Sequence, residues 1–166
     1  MAISKRVKTV REHVKAENAG DLDAALATFE HPRYEYVATD EVYDGPEEVL
    51  AHWRELNRAF PDQQTEIVKL RRADDTVVME GIFRGTHTGP LRGLPPTGRS
   101  FEQPFLAIFV FDGDDLIGER VYHDTTTLLR QLGVARELDS LTGRLETVAG
   151  HPLTIGRGLV RRVIGR

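Results

Sequence analysis

The feature that most constrains this chain is a change of apolar period at Pro61. Before it, apolar residues recur at helical spacing; after it, they alternate. A 3.6-residue period buries one stripe of a helix, whereas a period of two buries one face of a strand. Helical patterns followed by a run of alternating ones define an α+β domain, with helices packed on one face of a curved, mostly antiparallel sheet.

The helical part divides at its turn signals. Ser4 to Asn18 carries Val7, Val10, Val14 and Ala16 near helical spacing and ends at Asn18-Ala19-Gly20. Asp21 is placed to cap a second helix over Leu22 to Phe29, which His31-Pro32 stops. Short strands are expected at Tyr34–Val37 and Val42–Tyr43. Asp44-Gly45-Pro46 then breaks the chain, with Pro46 in the first turn of a helix over Glu47 to Phe60. Its stripe of Val49, Leu50, Trp53, Leu56 and Phe60 faces a core.

Beyond Pro61, alternation predicts strands over Thr65–Arg72, Thr76–His87, Ser100–Phe111 and Leu116–Asp124. Asp74-Asp75 and Asp112-Gly113-Asp114-Asp115 join neighbours as hairpins. The Gly/Pro-rich loop from Gly89 to Gly98 is long enough to form the rim of a binding site. A short helix over Thr125–Leu132 closes the domain, set at residues 1–133. Residues 134–166 form an extension in which Leu159, Val160, Val163 and Ile164 lie opposite Arg157, Arg161 and Arg162, the pattern of a basic amphipathic helix. Such a helix covers its own domain or a partner subunit; on an anionic membrane a segment this short binds weakly.

Composition narrows the function classes. At 166 residues, 40% hydrophobic and 29% charged, the chain can bury a sizeable core without staples. It has no cysteine, which excludes disulfides and thiolate metal sites. No apolar run approaches a membrane span and the N-terminus lacks a leader's apolar core, so a cytoplasmic protein is expected. The net charge is −4; with four arginines and no acid from Pro152 onward, the first 151 residues carry −8 (−4 minus +4). An acidic body does not suit nucleic acid.

Phosphate-cradling glycine loops, a nucleophile elbow and a His-Glu-x-x-His run are all missing. His13, His31, His52, His87, His123 and His151 lack metal-ligand spacing, and no metal site is expected. What remains are polar residues embedded in strands. Alternation puts Arg120, Tyr122 and Asp124 on one face of the last strand and Glu119, Val121 and His123 on the other. A buried Asp124 has its pKa raised and can take and return a proton; the same residue before Thr125-Thr126-Thr127 is also a helix N-cap. His87, beside the Gly/Pro loop, is either a catalytic partner or a structural histidine bonded to that loop. Trp53 is core, or with Tyr36, Tyr43 and Phe105 walls an aromatic pocket. Glu80 and Glu102 are read as facing solvent.

The chain resembles the SnoaL-like polyketide and ester cyclases of the nuclear transport factor 2-like superfamily. The resemblance rests on Gly85-Thr86-His87-Thr88-Gly89, Gly93-Leu94-Pro95-Pro96-Thr97-Gly98-Arg99, Asp112-Gly113 with Leu116-Ile117-Gly118-Glu119, and Asp124 followed by Leu128-Leu129-Arg130-Gln131-Leu132-Gly133. It covers residues 4–133. It implies a cone-shaped barrel, a homodimer, and a hydrophobic pocket between sheet and helices that takes a small hydrophobic molecule. It further implies aldol-type ring closure by a strand-end Asp, here Asp124, without metal or organic cofactor. His87 or His123 would assist, and Tyr36, Trp53 and Tyr122 would shape the cavity. Family members often carry Arg where Glu80 stands and Trp on the last strand, where this chain has Arg120, Val121 and Tyr122. The same fold also serves isomerases, epoxide hydrolases and non-catalytic binding or dimerisation domains.

Overall fold

The computed structural model describes residues 4–136, 140–153 and 157. Three helices come first among a short hairpin: α1 (Lys5–Asn18), α2 (Leu22–Leu26), β1 (Arg33–Tyr36), β2 (Glu41–Asp44) and α3 (Pro46–Ala59). The alternating segments become β3 (Gln64–Arg72), β4 (Thr76–Thr86), β5 (Ser100–Asp112) and β6 (Asp115–Tyr122), followed by α4 (Thr125–Gln131) and α5 (Leu141–Gly150). The strands form one six-stranded sheet in the order β2-β1-β6-β5-β4-β3. Every pairing is antiparallel except β1 on β6, which is parallel. The sheet does not close, and β2 and β3 remain its edges.

α1, α2 and α3 pack on one face of this sheet. Val10 and Val14 of α1, Ala25 of α2, and Val49 and Trp53 of α3 meet Val77, Met79, Ala107, Phe109, Phe111 and Val121 in the main core. At the far end a second cluster joins Ala59 and Phe60 to Phe101, Leu128 and Leu132. α2 is shorter than its apolar pattern suggests. Thr28 turns its hydroxyl back onto the Ala25 carbonyl, and Phe29 leaves the helix to bridge Leu116 of β6.

One irregularity decides which side chains face the helices. Along β5 and β6 the register runs Phe109↔Glu119 and Val110↔Gly118, then Phe111↔Leu116, which leaves Ile117 as an extra residue. A bulge of this kind reverses the alternation from that point on. Leu116 and Glu119 therefore share the buried face, as Phe109 and Phe111 do opposite them. Counting onward, Val121 and His123 face inward, while Arg120, Tyr122 and Asp124 face out. The parallel neighbour agrees: Tyr34 and Tyr36 pair with Glu119 and Val121 on the inner face, and Glu35 pairs with Arg120 on the outer one.

The 89–98 loop lies against the end of α3, where the Thr88 and Gly89 amides donate to the Ala59 carbonyl. A Cβ on Gly89 would stand 1.9 Å from the Arg58 carbonyl oxygen, so this approach requires glycine. No described helix is long and apolar enough to cross a membrane. The basic amphipathic helix expected near the C-terminus falls, apart from Arg157, outside the described residues.

Candidate functional site

Between the helices and the inner face of the sheet lies a cavity of about 410 Å³. Its walls are largely apolar: Leu22, Leu56 and Phe60 from the helical side, Met79, Phe83, Phe105 and Val121 from the sheet, and Leu128 and Leu129 from α4. Phe105 reaches in across Gly81, where a Cβ would stand 2.6 Å from its ring. Leu91, Arg92 and Leu94 bring the Gly/Pro loop to the rim, as its length suggested. Arg92 ties that rim to β2 through both Glu41 carboxylate oxygens and, at 3.2 Å, the Tyr43 hydroxyl. This fork keeps the Glu41 carboxyl down at about 2.

A few polar groups interrupt the apolar wall. His52 stands on the core stripe of α3, with its Nε2 3.0 Å from the Tyr36 hydroxyl and its ring stacked on Tyr43 at 4.1 Å. Burial, and then the nearby Arg92 charge, lower its pKa to about 4, so it is neutral. His123 lies just past β6, half-buried, with its ring 5.0 Å from that of Tyr36. Burial lowers its pKa too. Burial has the opposite effect on the Tyr36 phenol, which is pushed up and keeps its proton. Glu17 and Glu119 also line the cavity, beside His13. Burial pushes the Glu119 carboxyl up. Burial opposes charge on His13 as well, but the facing Glu17 and Glu119 carboxylates raise its pKa to about 10.

The residues singled out in the sequence separate into three groups. Tyr36, Trp53, Phe105 and His123 line the cavity, and Tyr43 backs it through the stack on His52. His87 is fully buried outside it, where its Nδ1 accepts from the Thr97 amide at 3.2 Å and its backbone holds Arg99 and Gly98. This is the structural, loop-bonded arrangement. Tyr122 is 37% exposed on the outer face. Asp124 is exposed as well and caps α4: the Thr126 amide donates to Oδ1 at 2.9 Å and the Thr127 hydroxyl to Oδ2 at 2.6 Å. These bonds, the Thr127 hydroxyl first, hold its carboxyl below the usual range. Its backbone carbonyl, not its side chain, reaches the cavity region, accepting from the Gln103 amide. The outward Glu80 and Glu102 pair with Arg71 and Arg84.

His13, Glu17, His52, Glu41 with Arg92, and Gln103 were not legible as site residues. Two signals were present for the histidines. His13 sits between Val10 and Val14 on the apolar face of α1, and His52 beside Val49 and Trp53 on that of α3. A polar ring on a core stripe needs a partner, and that partner is where a site begins.

An α+β domain with helices on one face of a curved open sheet, enclosing an apolar cavity with a few polar groups, has the nuclear transport factor 2-like fold. It overlays on a protein of that fold from Burkholderia pseudomallei with a TM-score of 0.67, 20% identity, and coverage of 78% of this chain and 98% of the other. The model of the SnoaL-like polyketide cyclase family matches residues 7–132, and the chain belongs to that family. It is 28% identical over 134 residues to the aklanonic acid methyl ester cyclase AcmA of Streptomyces galilaeus, covering 79% of this chain and 92% of that one. It also resembles the crystal structure of IdmH from Streptomyces antibioticus, with 26% identity, a TM-score of 0.64, and coverage of 79% of this chain and all of the other.

Proposed function

We propose that this protein is an acid/base cyclase that closes a ring in a hydrophobic, carbonyl-bearing small molecule, of the polyketide ester kind named for the AcmA relative. The observation that carries the reading is His123, a neutral imidazole just past β6 that opens onto an apolar cavity beside a protonated phenol. A neutral imidazole in such a wall is a competent base, and the low dielectric around it strengthens any hydrogen bond to a developing oxyanion.

His123 removes a proton alpha to the ester carbonyl, leaving an enolate. Its carbon attacks a second carbonyl of the same molecule, forming a C–C bond while that C=O becomes an alkoxide. The protonated His123 returns its proton to the alkoxide. Nothing is oxidised or reduced, and product and substrate are isomers. Tyr36 donates to the enolate oxygen, provided that the His52 Nε2–H donates in turn to the Tyr36 oxygen; the 3.0 Å contact fits that chain. Asp124 has a supporting part: it caps α4 and thereby fixes the chain that carries His123.

The test is incubation with a polyketide methyl ester bearing a ketone within ring-closing reach of its acidic carbon. An isomer of unchanged mass and altered retention should form in proportion to enzyme. Saturable binding with no isomer would overturn it in favour of a binding module.

A further inference from the structure

The geometry points to a divalent-cation site formed by His13, Glu17 and Glu119 beside the cavity. His13 and Glu17 stand one turn apart on the same face of α1, and Glu119 is the first inward residue of β6 beyond the bulge. The His13 Nε2 is 3.5 Å from Glu17 Oε1 and 3.4 Å from Glu119 Oε2, and the three ligand atoms lie within 4.8 Å of one another. Bonds of about 2.0–2.2 Å from zinc to nitrogen and oxygen give tetrahedral edges of roughly 3.3–3.5 Å. The two edges from His13 match that spacing and are long for direct hydrogen bonds.

Hydrogen bonding around the imidazole turns Nε2 into a ligand. Thr28 donates its hydroxyl proton to the Ala25 carbonyl at 2.7 Å, so its oxygen is free to accept from His13 Nδ1 at 2.8 Å. The same Nδ1 faces the Ala25 carbonyl at 3.2 Å. Nδ1 therefore keeps its hydrogen, and a cation that displaces the second proton of the ring meets an Nε2 lone pair aimed between two carboxylates. A ligating histidine is oriented by a carbonyl partner in this way. His13 is 0% exposed and Glu119 3%, and the buried His13 Nε2 and Glu119 Oε2 have no hydrogen-bond partner among the described residues.

Charge supports the assignment. The strongest electrostatic neighbours of His13 and Glu119 are each other and Glu17, and no described lysine or arginine is among them. One proton on His13 leaves the buried group net negative; a dication balances both carboxylates. The nitrogen and carboxylate donors suit zinc-like ions better than calcium or magnesium. Glu17 and Glu119 line the cavity, so the remaining coordination position opens toward an oxygen of whatever occupies it.

The site is tested without substrate, so its failure leaves the cyclase reading untouched. The full chain is stripped with chelator and titrated with Co(II) as the probe, with visible absorption reporting coordination and circular dichroism reporting the fold. One equivalent should bind with the spectrum of a four- or five-coordinate ion. Glu119→Gln and Glu17→Gln should each weaken binding at least about tenfold, by analogy with loss of ligand support in other sites. His31→Ala removes the exposed His31–Asp44 pair, a surface place where added metal could gather, and should bind as wild type does. Glu17 is on the partly exposed side of the cluster, so its variant decides the matter if Glu119→Gln fails to fold. Absence of stoichiometric Co(II), or equal binding in Glu17→Gln, would overturn the assignment.

Discussion

His52 and Asp124 show how the surroundings of a residue settle its role. His52 has a folded pKa of about 4 against 6.5 for the free side chain, because burial disfavours its charged form. The unfolded chain takes up a proton between those values that the folded chain refuses. The stability due to neutral His52 is complete above pH 6.5 and drains away as the pH falls toward 4, by about 1.4 kcal/mol per unit at most. Urea midpoints across this range should fall more steeply for wild type than for His52→Gln; parallel curves would contradict the assignment. Asp124 is bound to its cap on both oxygens. Asp124→Ala should therefore lower the melting temperature measurably, whereas Asp124→Asn, also a good cap, should hardly change it. Equal losses in the two variants would show that capping is not the role of this side chain.

At the scale of elements, the sequence was informative wherever a regular period ran uninterrupted. α1, α3 and the four long strands lie within a residue or two of where spacing puts them. Three things lay beyond it. The parallel docking of β1 on β6 joins segments far apart in the chain, and nothing local encodes it. The early end of α2 depends on Phe29 finding a place beside Leu116. The bulge at Ile117 matters most. Strict alternation from the core residue Leu116 would have turned Arg120, Tyr122 and Asp124 inward, and a single unpaired residue instead presents Glu119, Val121 and His123. Deleting Ile117 should remove the bulge and leave Leu116 and Glu119 alternating on one face, so the variant should fold with the β5–β6 register kept and His123 still inward. A deletion variant that fails to fold, or that turns Arg120 inward, would mean that Ile117 is not the unpaired residue. Gly89→Ala is the corresponding test for the rim: its methyl group collides with the Arg58 carbonyl and should cost about 1–3 kcal/mol in a denaturant titration.

For the whole molecule, the apolar cavity between helices and sheet follows from the two periodicities and from the family to which the chain belongs. Its chemistry was less legible. The resemblance directed attention to Asp124, while the folded chain turns that side chain to solvent and opens His123, one residue earlier, to the cavity. Sequence distance of one residue is a whole sheet thickness in space. The most direct measurement is therefore single-turnover ring closure by His123→Asn and Asp124→Asn side by side, with fold and cavity binding verified in both. The account predicts that His123→Asn loses roughly 10²–10⁴-fold in rate while Asp124→Asn stays near wild type. A folded Asp124→Asn that binds but does not turn over, beside an active His123→Asn, would contradict it.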